Sequence, residues 1–359
     1  MSSRLPNQFR RLQGLPGAAS SRGAGRSGVL VAVALAVVAC SGASVVLFDE
    51  DRSTSSAPIR STAGEEEMRG ELADAQRALR EGDAAAAEKL LASWLDKHPD
   101  SWTAHYHMGL LHMDAGRFEP ARAHLEQAVK IKPELFGAWS NLGVLYMEHG
   151  EDVAALRSLD KAAELAPKDV RILVNLGNAR SRRGLWSEAI EAYEAALAEA
   201  PGHGTALYDL GLAWAARQRW DKVLAVADKA IVYRPGFAHA RALRVVALTH
   251  LGQLDTAIAD GEADLERIKP VVENHVALGR ALLVAGRRDD AIERLRAAVA
   301  VEADSPLARM TLGEVLDATG DKAGASAQYE AYLKLPRRRF EDARRLRHRL
   351  RELKAGGAG

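Results

Sequence analysis

Residues 136–169 read FGAWSNLGVLYMEHGEDVAALRSLDKAAELAPKD. Trp139, Leu142, Gly143 and Tyr146 fall at i, i+3, i+4 and i+7, so they share one face of a helix. Ala155, Leu159 and Ala162 share a face of a second helix. Gly143 and Ala155 are small, which lets the two helices approach closely. Gly150 lies between the runs and suits a left-handed C-cap. Pro167 closes the second helix, because proline has no N–H and clashes with the preceding turn. The segment is therefore a helix–turn–helix unit whose apolar faces need neighbours.

The neighbours are copies. Working outward at a 34-residue period, glycine stands at Gly82, Gly116, Gly150, Gly184, Gly252, Gly286 and Gly320, with Gln218 in the one gap. Alanine follows five residues later at Ala87, Ala121, Ala155, Ala189, Ala257, Ala291 and Ala325, with Val223 at the matching gap. Prolines close units at Pro99, Pro133, Pro167, Pro201 and Pro235. The units are 68–101, 102–135, 136–169, 170–203, 204–237, 238–271, 272–305 and 306–339. Two are degenerate. The first lacks the aromatic pattern and has Trp94 where alanine is usual; the sixth has Val245 for the small glycine, and Gly261 and Asp264 on its second helix. A local bend of the array at the sixth unit, or a substitution without consequence, are the two readings of that departure. After the last unit, Phe340, Ala343, Leu346, Leu350 and Leu353 form a helical stripe that can cover the open end, with arginines facing solvent.

The pattern W-x2-L-G-x2-Y, then A-x3-F, then P at period 34 resembles the tetratricopeptide repeat (TPR), with Leu159 where that family often has Phe. The resemblance spans 68–339. It implies an all-α fold: a right-handed solenoid of eight repeats with a C-terminal capping helix and disordered tail at 340–359, lacking its own catalytic domain.

The rest of the chain differs in charge and hydropathy. The chain is 47% hydrophobic, 27% charged and 5% aromatic, with a single cysteine, which excludes a disulfide scaffold or a Cys-rich zinc module. Residues 1–27 form a basic leader without an acid; 28–48 carry no charge; 49–67 hold six acids and two arginines in a Ser-rich linker. An uncharged run of this length spans about 31 Å as a helix, the thickness of a bilayer core. The leading arginines place the N-terminus inside, so the expected arrangement is a single transmembrane anchor with a cytoplasmic leader and the solenoid on the extracytoplasmic or periplasmic side. A competing reading is a lipoprotein: Val37-Val38-Ala39-Cys40 resembles a bacterial lipobox, with Cys40 the lipidated residue. Against it stand the long leader and the apolar Val45-Val46-Leu47-Phe48 beyond the cysteine. A cleaved export signal and a mitochondrial presequence are further alternatives.

The net charge of +1 is a cancellation of the basic leader, an acidic repeat body and a basic end, and supplies no case for nucleic acid. The basic end offers a surface to the acidic body of another copy, so self-association is open.

By the family resemblance, partners lie in the concave groove made by first helices, at unit positions 2, 5, 6, 9, 12 and 13. These give Tyr106, Leu110 and Met113; Asn141, Val144 and Met147; Arg171, Asn175, Asn178 and Arg182; and Tyr208, Asp209 and Leu212. Asn141, Asn175 and Asp209 repeat at the sixth position, where amides can bond a peptide backbone without reading its sequence. The chaperone-type dicarboxylate clamp is not matched: Val174 stands where it needs Lys, and Asp209 would repel a carboxylate. No P-loop, H-E-x-x-H, G-x-S-x-G or G-x-G-x-x-G motif occurs, and no cofactor or metal is expected. His105 and His112 replace packed aromatics, while His107 points elsewhere. The expected function is a non-enzymatic, membrane-tethered scaffold for polypeptide partners in envelope assembly or secretion. The alternative is a pilotin-like lipoprotein, lipidated at Cys40, that supports assembly of a larger secretion or pilus complex.

Overall fold

The computed structural model describes residues 71–335 and 340–355. The leader, the uncharged run with Cys40, the linker and the residues past 355 lie outside the described residues. Within them are seventeen α-helices and no strand. In chain order these are α1 (Glu71–Glu81), α2 (Ala84–Lys97), α3 (Trp102–Asp114), α4 (Phe118–Ile131), α5 (Phe136–Glu148), α6 (Asp152–Leu165), α7 (Val170–Arg182), α8 (Trp186–Glu199) and α9 (Gly204–Ala216). They continue as α10 (Trp220–Tyr233), α11 (Ala238–His250), α12 (Leu254–Arg267), α13 (Val272–Val284), α14 (Arg288–Val301), α15 (Pro306–Thr319), α16 (Lys322–Lys334) and α17 (Phe340–Ala355). From α3 onward every first helix begins on the first residue of its 34-residue unit. No helix among the described residues is long and apolar enough to cross a membrane.

The turn between paired helices needs a left-handed residue, and all seven ladder glycines adopt positive φ. At the gap the backbone does not change: Gln218 takes φ 57, the one non-glycine to do so among the described residues. A side chain there costs about 1 kcal/mol, which the packed helices on either side impose.

Inside five of the eight pairs, glycine at unit position 8 faces a large residue at position 24, while in the fifth Gly211 faces Leu243 of the next repeat. A Cβ on Gly143 would sit 2.4 Å from Leu159 Cγ, and one on Gly177 2.4 Å from Tyr193 Cε1. The sixth repeat inverts this order, with Val245 at position 8 and Gly261 at position 24. Val245 is buried, and a Cβ on Gly261 would lie 3.0 Å from Leu278 Cδ1 of α13. The small residue of this unit therefore receives a leucine of the following repeat.

At position 4, a side chain latches four of the repeats to the one before. Trp139 Nε1 donates to the Pro133 carbonyl at 2.8 Å, His105 Nε2 bonds the Pro99 carbonyl at 3.0 Å, and Arg241 Nε donates to the Pro235 carbonyl at 2.7 Å. Arg309 Nε does the same to Ala303 at 2.8 Å. In the sixth repeat Arg241 also pairs with Asp264, which is 4% exposed, so the acid on its second helix is neutralised by the latch residue.

The end of the array closes as expected in its apolar part: Ala343, Leu346, Leu350 and Leu353 of α17 are buried. The arginines of α17 are exposed, as expected, and two of them also reach back to the last repeat. Arg345 bonds Glu314 at 2.9 Å, and Arg349 bonds both oxygens of Asp317 at 2.7 and 2.8 Å. The cap is tied electrostatically to α15 as well as covering the core.

Candidate binding groove

First helices of successive repeats neighbour one another from α3 to α15, so their outer positions form one continuous surface. Its character is set by which side chains are already engaged. Tyr106 is buried, and its hydroxyl accepts from Asn141 Nδ2 at 3.1 Å. Met147 is buried as well, while Leu110, Met113 and Val144 are half-buried against the core beside it. In the fourth repeat Asn178 Oδ1 accepts from the Tyr193 hydroxyl at 2.6 Å. Arg171 folds back on its N-cap Asp169 at 3.0 Å, and Arg182 Nε donates to Asp152 of α6 at 2.7 Å. The predicted basic pair is therefore occupied within the fold.

Two residues of the predicted row are not engaged in this way. Asn175 and Asp209 are half-buried and make no side-chain hydrogen bond or ion pair among the described residues. Asp209 is crowded by protein, and burial pushes its carboxyl up to about 7 with no cation nearby to oppose it. Burial also raises the Tyr193 hydroxyl, and the Asp209 charge adds to that shift. Beside Asp209, the Tyr208 ring lies 6.2 Å from Phe237 and 5.6 Å from His239. Leu212 is half-buried and packs against the small cluster of Ala215, Val223, Ala227, Leu243 and Ala247.

The structure adds groove residues beyond those predicted. His239 Nε2 lies 3.9 Å from Glu273 Oε2, and Arg280 Nη2 donates to Thr311 Oγ1 at 3.0 Å. Glu314 is partly buried beside them, where burial raises its carboxyl and Arg345 pulls it back. These occupy positions 2, 6 and 9 of units six to eight. The same position rule, carried past the fifth unit, would have named them.

The histidines are brought together differently from the prediction. His105 Nδ1 and His124 Nδ1 are 3.0 Å apart, and His112 stacks on His124 at 5.4 Å between centroids. His124, on α4, was not singled out by the sequence reading. The Pro99 carbonyl can only accept, so His105 Nε2 donates to it, and in the His105–His124 pair one Nδ1 donates and the other accepts. Burial, then His105 and His112, hold His124 down at about 4. His107 turns to Gln76 of α1 at 3.2 Å, and burial alone lowers it to about 4. Among the described residues no group of three or more His, Cys, Asp or Glu is arranged to hold a metal ion.

The arrangement offers amides, a carboxylate and apolar shelves for non-covalent contact. Family models described as tetratricopeptide repeat match residues 78–142 and 112–173, and, in a second model, 174–232 and 276–343. Together they reach over more than half of the chain; the stretch they skip contains the inverted sixth repeat. A search of curated proteins matches none. Among solved structures, a tetratricopeptide repeat protein from Parabacteroides merdae is 18% identical, with 71% of this chain and 99% of that one covered and a TM-score of 0.62. Yeast Tom70 is 14% identical over 77% of this chain and 60% of its own, at TM-score 0.57. The APC/C hetero-tetramer Cut9–Hcn1 is 18% identical over 65% and 48%, at TM-score 0.50. At these identities the likeness concerns the fold.

Proposed function

Because this chain belongs to the tetratricopeptide repeat family, we propose that it is a non-enzymatic scaffold that holds polypeptide partners in the groove of its first helices. The observation that carries the reading is the half-buried row at the sixth position, where Asn175 and Asp209 keep their polar groups uncommitted along a continuous surface. Such groups can bond an extended main chain. The uncharged run at 28–48 would tether the scaffold as a single-pass anchor, with the solenoid outside the cytoplasm, and envelope assembly or secretion is the proposed context. Lipidation at Cys40 would replace the anchor, as in a pilotin-like lipoprotein, and is favoured only by the Val37–Cys40 motif.

Two measurements test this. Capture of partners from membranes with the full-length chain is compared with the Asn175→Trp variant; Asn141 and Asn178 are left intact because their hydrogen bonds serve the fold. The groove reading expects a depleted partner set, and an identical set would overturn it. Intact-mass measurement then separates an unprocessed N-terminus from a chain cut and lipidated at Cys40.

A further inference from the structure

We propose that the groove floor at Asp209 is a seat for a cationic side chain, so that the preferred occupant is an extended basic segment presenting Lys or Arg there; this rests on the groove reading above. Arg171 is held by Asp169 and Arg182 by Asp152. Arg241 is held by Asp264, and Arg244 by Asp228 and Asp260. At the far end Arg345 and Arg349 cover Glu314 and Asp317. Of the predicted groove cations Arg171 and Arg182 are thus matched by acids of the fold, Arg280 further along donates to Thr311, and no cation is paired with Asp209 among the described residues.

Its surroundings sharpen the preference. Glu273 lies on the same surface, and its contact with His239 at 3.9 Å is an ion pair only when the imidazole is protonated. An acidic ligand would meet Asp209 and Glu273 together. A guanidinium or ammonium would instead form a charge-assisted hydrogen bond to Asp209. Tyr208, the neighbour of Asp209 in α9 and edge to face with Phe237, offers an aromatic ring to the same cation, while the Phe237 ring already holds the Arg234 guanidinium at 5.6 Å. A carboxylate withdrawn from water without a partner is a burden on the folded state, and a ligand cation relieves it. Asn175, one repeat earlier at the same unit position, is placed to bond the main chain of that segment.

The test is selection of a random dodecamer display library on the immobilised full-length chain, followed by affinity measurement of the selected peptides on three variants. These are Asp209→Asn, the groove-blocking Asn175→Trp, and Glu194→Gln on an exposed face of α8. The proposal expects peptides enriched in Lys and Arg. Their affinity falls roughly tenfold or more in Asp209→Asn, the scale for removing one member of a desolvated charge pair. It also falls in Asn175→Trp and is unchanged in Glu194→Gln. Neutral or acidic peptides that survive Asp209→Asn but are lost in Asn175→Trp would overturn the cation seat and leave the groove standing. Peptides indifferent to both changes, or no enrichment at all, would overturn the groove reading and the cation seat with it.

Discussion

Replacing Asp209 by Asn should stabilise the protein, and the gain should grow with pH. In the unfolded chain this carboxyl releases its proton near 3.9. In the fold, burial holds the proton up to about 7. Between those values the native state binds more protons than the unfolded state, so this residue's contribution to stability is intact below about 4 and is lost as pH rises through 7. A shift of about three units corresponds to a ceiling of about 4 kcal/mol. The side chain is only half-buried, and solvent screening at the groove mouth reduces that to about 1–2 kcal/mol. Asparagine has the same shape and no charge, and already stands at this unit position in Asn141 and Asn175. The assay is urea unfolding followed by circular dichroism at pH 4.5, 6 and 8, comparing the variant with the parent so that all other titrations cancel. The midpoints should nearly coincide at pH 4.5 and separate by pH 8 with the variant the more stable. A gap independent of pH, or one that closes as pH rises, would refute the reasoning.

Other perturbations follow from the packing. Gln218→Gly should raise the thermal midpoint, because it relieves a side chain at φ 57 worth about 1 kcal/mol, offset in part by glycine's unfolded-state entropy; a lowered midpoint would contradict this. Gly177→Ala should destabilise by about 1–3 kcal/mol in denaturant titration, since its Cβ would lie 2.4 Å from Tyr193 in a fully packed pair. Gly261→Leu alone should be destabilising against Leu278, and combining it with Leu278→Ala should recover part of the loss, measured as a coupling in a double-mutant cycle. Acidification should weaken the N-terminal repeats: His107 stays neutral in the fold to about 4 and protonates near 6.5 when unfolded, so its stabilisation is lost as pH falls through that window. His107→Gln should flatten the slope there, read as unfolding midpoint against pH.

The period and its punctuation made most of the fold legible. Glycine at the turn marks seven of the eight units and proline at the exit five, and first helices from α3 to α15 start where the 34-residue register put them. Trp139 was readable as a packed residue, since its spacing with Leu142 and Tyr146 needs only one helix. Its N–H latch to Pro133 was not, because that depends on how one repeat meets the previous one. The same limit hid His124, whose partner His105 lies across the helix pair, and the ion pairs that occupy Arg171 and Arg182. The isolation of Asp209 was invisible for a related reason: it is a statement about every neighbour at once. Gly261 looked like decay when judged within its own unit, because the residue it makes room for, Leu278, belongs to the next repeat.

The central claim is that partners sit on the first-helix surface, and site-specific photocrosslinking tests it most directly. A photoreactive residue is placed at position 175 in the groove or at 194 on the outer face of the full-length chain in its native cells. The account predicts discrete crosslinked polypeptides from 175 that are absent from 194. Matching crosslinks from both positions, or crosslinks from 194 alone, would contradict it.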